Sequence, residues 1–196
     1  MRKFVLAGLA AGALALLSAA ATAQAITQQA AGKLQAYSKD QISLVTASGA
    51  VAVVKLLPGV QVMTATPIKV SDIAPGSYIG TTNYAKPDGT GRSLEVHVWP
   101  PGAKGPGVDF VMDANAGTTM TNGVVDTVVE SEGGRVLSVN HGAGVRRITV
   151  PPTVPVVLNT PSDPSRLTPG AVVRVAIFTA PTGVKAQFIT IQTPSH

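Results

Sequence analysis

Short runs of β-branched and aliphatic residues recur along most of the chain, and each run ends at a turn rich in Pro or Gly. Examples are Val51–Leu57, Ser77–Tyr84 and Ser93–Trp99, the last two of which flank the turn signal Lys86–Gly89. Strands of this length and punctuation are typical of an all-β barrel or sandwich. No convincing 3.6-residue apolar period occurs, and we expect at most a short helical turn over residues 26–36. The other predicted strands are Val60–Thr64, Arg135–Asn140, Val145–Val150, Val154–Asn159, Val172–Thr179 and Lys185–Gln192.

This pattern of strands occurs twice. Residues 39–89 align without a gap on residues 133–183, at a spacing of 94, with twelve identical positions. Because several identities fall on turn residues, the alignment favours an internal duplication. It predicts two tandem small barrels, over residues 26–100 and 124–196. A Pro/Gly-rich linker loop is expected between them, over residues 101–123, since such a run cannot form a central strand.

A turn shared by both repeats has a mechanical interpretation. Pro75-Gly76 aligns on Pro169-Gly170, and a Pro followed by a Gly suits the two central positions of a type II turn. The aliphatic residue three positions before the Gly is Ile73 in the first repeat and Leu167 in the second. We expect each of them to plug the open end of a barrel, where burial contributes roughly 1.5–3 kcal/mol.

The first 25 residues read as a secretory signal peptide. Arg2 and Lys3 precede an apolar run, Phe4–Leu17, and small residues follow that permit cleavage after Ala23 or Ala25. The run is shorter than a membrane-spanning helix requires, and no later segment is long and apolar enough. A periplasmic or secreted protein, without a transmembrane span after removal of the leader, is predicted.

Composition and charge narrow the function classes. Without the leader, Lys+Arg falls from 15 to 13 against 10 Asp+Glu, a net charge of about +3. Binding to a phosphate backbone relies on clustered cations, so we expect no nucleic-acid partner. The chain has no Cys, and therefore neither a disulfide nor a thiolate nucleophile.

Several features together carry a resemblance to a known family. These are the paired barrel-like repeats, the Pro-Gly turn that opens a strand, the strand Glu95-Val96-His97-Val98 and the later Met120-Thr121-Asn122. They resemble uncharacterised exported bacterial proteins with tandem OB-like domains of the DUF-5666 type. The resemblance covers most of residues 35–192, and it implies OB-like barrels.

Some relatives of that type are labelled "metal ABC transporter permease", a label that does not suit this chain. A permease needs several membrane-spanning helices, and the only long apolar run is the leader. The chain also departs from its relatives after the His97 strand. The acidic residues, the Arg and the second His expected there are absent from Pro100–Gly107.

The preferred candidate for ligand binding is one face of a single strand. Side chains alternate along Ser93–Trp99, so Leu94, Val96 and Val98 are predicted to point inward. The opposite face carries Glu95, His97 and Trp99, whereas the second repeat has Thr190 and Gln192 in place of the last two. The functional interpretation is a ligand surface roofed by the 100–123 loop. The alternative is an ordinary solvated face on which Trp99 anchors the loop.

We expect no cofactor, but the runner-up interpretation is a metal-binding protein of the cell envelope. His97, Met112, Met120 and His141 supply the imidazole and thioether ligands that suit copper(I) in an exported protein without Cys. Their spacing matches no standard ligand motif, and two Met in a loop are more often packing residues.

Catalytic motifs are not found in the sequence. Neither a Gly-x-Ser-x-Gly elbow nor a His-Glu-x-x-His pair occurs. We therefore expect no enzyme but an exported binding or interaction module. Its partner is an unknown envelope protein or a cell-wall ligand, and a hydrolase acting on envelope carbohydrate is the third interpretation.

Overall fold

The computed structural model describes residues 26–103, 107–113, 116–180 and 183–194. The predicted leader lies outside these ranges. Within them, no helix is long and apolar enough to cross a membrane. Regular structure consists of twelve strands and two short 3-10 turns, Val70–Asp72 and Pro164–Arg166. The strands are β1 (Ile26–Tyr37), β2 (Gln41–Val45), β3 (Val51–Pro67), β4 (Tyr78–Ala85), β5 (Thr90–Val98), β6 (Val108–Asp113), β7 (Thr118–Ser131), β8 (Gly134–Asn140), β9 (Val145–Val150), β10 (Val156–Pro161), β11 (Val172–Ala180) and β12 (Gly183–Gln192).

The strands close into two five-stranded rings, which confirms the predicted all-β barrel class. Barrel A runs in the order β1-β2-β3-β12-β11 and returns to β1, and barrel B runs β7-β8-β9-β5-β4 and returns to β7. In each ring one neighbouring pair is parallel, β3 with β12 or β9 with β5, and the others are antiparallel. A five-stranded ring of this kind is the OB-like architecture that the resemblance implies.

Each barrel takes strands from both repeats. Barrel A combines β1–β3 of the first repeat with β11 and β12 of the second, and barrel B combines β7–β9 with β4 and β5. The chain crosses because β3 does not end at Pro58-Gly59 but continues to Pro67, which carries the following strands to the other barrel. The predicted boundaries 26–100 and 124–196 therefore delimit the repeats rather than the barrels.

Strand β10 joins the two barrels. It runs antiparallel to β3 and parallel to β5, so that one sheet passes continuously from barrel A to barrel B. The β3–β10 ladder is centred on Ala65 opposite Asn159. These two residues lie 94 positions apart, the spacing of the sequence repeat, so the junction is itself built from equivalent segments.

Irregularities of pairing recur in equivalent places. The register shifts between Thr82 and Asn83 in the β4–β5 pair, and 94 positions later between Ala176 and Ile177 in the β11–β12 pair. A second pair of shifts occurs at Leu34/Ala36 of β1 and Val125/Thr127 of β7. A bulge is a specific local feature of a strand, so at these places the two repeats share the same local irregularity of the backbone.

Three expectations from the sequence are wrong in detail. Residues 26–36 belong to strand β1 and not to a helical turn, and the 101–123 linker contains β6 and the beginning of β7. The alignment at a spacing of 94, which places Val45 on Val139, is also out of register with the structure at this point. Ile42 opposes Val54 in barrel A as Leu137 opposes Ile148 in barrel B, so Leu44 is the counterpart of Val139. The β8–β9 turn is one residue shorter than the β2–β3 turn, which causes this offset.

Each plug residue is buried in the core of a barrel, as expected. The barrel that it fills is the one whose first three strands come from the other repeat. Ile73, from the first repeat, is 1% exposed and packs in the core of barrel B, whereas Leu167 packs in the core of barrel A. The two turns that follow have positive φ at Gly76 (+85°) and Gly170 (+91°), as a type II turn requires. The guanidinium of Arg135 donates to the carbonyl of Ile73 and holds the plug in place.

Candidate functional site

A bulge decides which residues of β5 face outward. Val96 and Val98 are buried in the core of barrel B. Glu95 and His97, which alternate with them along the strand, lie on the outer face. The predicted inward position of Leu94 is wrong, because the β4–β5 register shift puts Ser93 inside and leaves Leu94 38% exposed. The prediction therefore holds for the alternation around Glu95 and His97 but not across the bulge.

Glu95 and His97 belong to a cluster that spans the junction of the two barrels. We call Thr82, Glu95, His97, Asn159 and Arg174 the junction cluster. Thr82 of β4 donates to Glu95 Oε1 (3.0 Å), and Arg174 Nη1 of β11 lies 3.3 Å from Glu95 Oε2. His97 Nε2 lies 3.6 Å from the same Oε2. Four strands thus contribute to one polar cluster between the barrels.

The electrostatics of the cluster favour an ionised carboxylate. The pKa of Glu95 is lowered to about 2, chiefly by the hydrogen bond with His97, with smaller contributions from Thr82 and Arg174 and against the opposing effect of burial. Less than a quarter of the Glu95 side chain is exposed, 23%. The cluster therefore presents a fixed negative charge over the ordinary pH range, held between an imidazole and a guanidinium.

Asn159 brings an unsatisfied acceptor to this cluster. Its Nδ2 lies 3.1 Å from His97 Nδ1, while its Oδ1 is buried and has no hydrogen-bond partner among the described residues. In this arrangement His97 Nδ1 accepts from the amide and Nε2–H points to Glu95.

Trp99 lies at the end of the same face. Its ring packs on Tyr78 with centroids 5.2 Å apart at an interplanar angle of 57°, and its backbone N–H donates to the carbonyl of Tyr78. The indole is partly exposed. Since residues i and i+2 of a strand share a face, an aromatic surface borders His97.

The predicted roof over this face is not formed by the described part of the 100–123 segment. Within that segment, β6 pairs with β7, and β4 lies between β7 and β5. Apart from Thr82 of β4, the groups that reach Glu95 and His97 come from β10 and β11. The prediction took the segment to be a linker free to fold over the nearest strand, whereas its described strands β6 and β7 extend the sheet on the far side of β4.

Asn159 and Arg174 were missed by the sequence analysis. Both come from the second repeat, and neither is near Glu95 along the chain, so no local motif marks them. The repeat itself held the signal. At the spacing of 94, Asn159 corresponds to Ala65 and Arg174 to Gly80, so that polar groups replace small residues where the two barrels meet.

The four predicted metal ligands do not form one described cluster. His97 contacts Glu95 and Asn159, whereas His141 lies in the β8–β9 turn near Asp109. Met120 is on β7 opposite Thr82, and the Met112 side chain lies outside what the structure describes. No group of three or more His, Cys, Asp or Glu residues that could hold a metal ion occurs among the described side chains.

A second polar cluster fills one end of barrel B. Thr81, Asn83 and Ser93 are buried there, and the equivalent positions of barrel A hold the apolar residues Val175, Ile177 and Ala186. The Asn83 amide donates to the Thr119 carbonyl and to Thr121 Oγ1, and its Oδ1 has no partner among the described residues. This polar interior is therefore specific to barrel B.

The inserted strand β6 completes this polar end. Asp109 of β6 accepts from Thr121 Oγ1 and forms an ion pair with Arg146 of β9. Burial opposes ionisation of Asp109, but the hydrogen bonds from Arg146 and Thr121 outweigh it and keep the pKa of the carboxyl below its usual value. An ion pair between β6 and β9 thus links the added strand to this end of barrel B, beside the backbone pairing that closes the ring.

Comparisons with protein-family models, with curated proteins and with solved structures found no match. Membership of the DUF-5666 type therefore stays a prediction from the sequence. Interpretation of function depends on the geometry of the two polar clusters.

Proposed function

We propose that the protein is an exported, non-enzymatic binding module whose ligand contacts the junction cluster and Trp99. The observation that carries the proposal is the ionised, partly exposed carboxylate of Glu95 on the same strand face as the partly exposed Trp99. A carboxylate with a fixed charge accepts strong hydrogen bonds from ligand hydroxyls, because a charge-assisted hydrogen bond is roughly twice as strong as a neutral one.

The chemistry of the cluster favours a ligand rich in hydroxyl groups. Glu95 accepts hydrogen bonds, Arg174 donates them, and the partly exposed ring of Trp99 offers an apolar platform. Sugars present hydroxyls and an apolar ring face together, and OB-like barrels include oligosaccharide binders. A cell-wall glycan is therefore the ligand class that we propose.

The cluster gives less support to catalysis than to binding. Both ring nitrogens of His97 face a partner, Glu95 and Asn159, and the hydroxyl of Thr82 donates to the carboxylate rather than to the imidazole. A nucleophilic mechanism needs a hydroxyl or thiol within reach of the base, and the chain contains no Cys. We accordingly assign recognition and not turnover to this surface.

Trp99 is the only tryptophan of the chain and borders the cluster, so its fluorescence can report ligand binding there. We expect soluble peptidoglycan fragments or N-acetylglucosamine oligomers to change the fluorescence of the mature protein in a saturable way. His97→Ala should weaken the binding at least tenfold, and His141→Ala, outside the cluster, should not. A flat fluorescence titration and no heat of binding with every glycan tested would refute the proposed ligand class.

Export is tested separately. Expression in a Gram-negative host should give a periplasmic protein whose first residue is Gln24 or Ile26, as cleavage after Ala23 or Ala25 requires. Intact-mass analysis distinguishes the two products. A protein that keeps Met1 and stays in the cytoplasm would contradict the assignment.

A further inference from the structure

The first strand of barrel A has one unpaired edge. Residues 26–33 of β1 pair with β11, and its pairing with β2 begins only at Lys33. No other described strand pairs with the opposite edge of β1 over residues 26–32. A run of backbone N–H and C=O groups there is available to another strand.

The equivalent edge in barrel B is occupied. Residues 118–122 of β7 pair with β4 on one side and with β6 on the other. Close approaches confirm that β1 and β7 correspond here. A side chain at Gly32 would collide with the carbonyl of Val45, and one at Gly123 with the carbonyl of Asn140, so both glycines pass the end of a neighbouring strand in the same way. The fold therefore has a place for a strand beside β1, and barrel B shows an extended antiparallel segment in it.

The unpaired edge of β1 lacks the charges and prolines that usually protect edges. Charged residues, proline and short strand length discourage pairing with other chains. Two other strands with an edge outside the rings carry such charges, Asp109 in β6 and Asp126 and Glu130 in β7. Residues 26–32 read Ile-Thr-Gln-Gln-Ala-Ala-Gly, without a charge or a proline.

We propose that two copies of the chain associate through this edge, with β1 of one copy antiparallel to β1 of the other. Antiparallel pairing of a strand with itself is self-complementary and closes as a two-fold dimer. An uncharged segment can face its own copy without repulsion between like charges, which is the reason for choosing a second copy over a foreign strand. The resulting sheet continues from one barrel A into the other. This dimer does not depend on the proposed glycan binding.

Analytical ultracentrifugation of the mature protein over a wide concentration range tests the proposal. Wild type should show a reversible monomer–dimer equilibrium. Gln29→Lys combined with Ala31→Lys puts two charges on exposed positions of the edge and should weaken dimerisation at least tenfold. The matched control, Leu94→Lys with Gln187→Lys, adds the same charge at exposed bulge positions of β5 and β12 and should dimerise as wild type does.

A second measurement covers the case in which the edge variant fails to fold. Because the chain has no Cys, Gln29→Cys introduces a single thiol, and a short bismaleimide should link it into covalent dimers. Leu94→Cys should give monomers under the same conditions. A wild type that stays monomeric up to about millimolar concentration, or cross-linking that is equal for the two thiols, would overturn the proposal.

Discussion

Arg174 of β11 and Glu95 of β5 form an ion pair between strands of different barrels, with 3.3 Å between Nη1 and Oε2. Along the sheet, β12, β3 and β10 lie between those two strands. In a flat sheet four strand spacings would separate them by about 19 Å, beyond the combined reach of the two side chains. The sheet must therefore curl so that the outer faces of the barrels approach each other, and the junction cluster lies where they meet.

The first prediction concerns acid stability. The pKa of Glu95 is lowered to about 2 in the folded protein, against about 4.5 in the unfolded chain. The contribution of Glu95 to the free energy of unfolding is therefore fully present above pH 4.5 and is lost as the pH falls towards 2. Glu95→Gln should therefore be less stable than wild type at pH 7, by roughly 2 kcal/mol, and the difference should shrink between pH 5 and pH 2. Urea unfolding across this range measures it. Glu132→Gln, at an exposed carboxylate, is the control, and an equal pH dependence in both variants would contradict the assignment.

A second prediction tests the exchange of strands directly. Lys55 of β3 is the register partner of Lys185 of β12, so Lys55→Cys with Lys185→Cys should form a disulfide within one chain. If each repeat closed its own barrel, the partner of Lys55 would be Arg92 of β5, the counterpart of Lys185. Lys55→Cys with Arg92→Cys should therefore stay reduced in the monomer, as mass spectrometry after alkylation will show. The reverse pattern would rule out the exchanged topology.

The third prediction follows from the plug residues. Ile73→Ala should cost about 2–5 kcal/mol, since the side chain is 1% exposed and its removal leaves a cavity. Hydrogen exchange should accelerate in β7–β9 and not in β1–β3, although Ile73 is closer to β3 along the chain. Leu167→Ala should do the opposite. Loss of protection in β1–β3 on Ile73→Ala would show that the plugs are not exchanged.

The fourth prediction concerns the ion pair at the polar end of barrel B. Either Asp109→Ala or Arg146→Ala leaves a poorly hydrated charge without its partner, because less than a fifth of each side chain is exposed. We expect each single variant to lose about 1–3 kcal/mol and the double variant to lose much less than their sum. A double-mutant cycle from thermal unfolding measures the coupling. Additive losses would mean that the pair does not join β6 to β9.

Much of the fold could be predicted from local signals. Alternation and Pro/Gly turns located most of the strands, with β9 matched over Val145–Val150. The Pro-Gly turns and the buried plugs Ile73 and Leu167 followed from φ preferences and hydrophobicity alone. These features depend on a few neighbouring residues, which is why a single sequence is sufficient for them.

The exchange of strands and the junction cluster could not be predicted in the same way. Whether β3 bends back at Pro58-Gly59 or continues depends on contacts with β10 and β12, which lie about a hundred residues further along the chain. The same crossing brings Asn159 and Arg174 to His97 and Glu95. Sequence reasoning found the half of the cluster that lies on one strand, and the other half is a product of topology.

Such a topology also constrains how the protein is made. Barrel A cannot close until residues 183–192 are available to pair with β3 and β11, so the chain must be free as far as β12 before the amino-terminal strands find their last partners. During that interval β1–β3 are open at both margins and exposed to misassembly. Chaperones that hold extended segments are therefore expected to influence the yield of this protein more than they would that of two independent barrels.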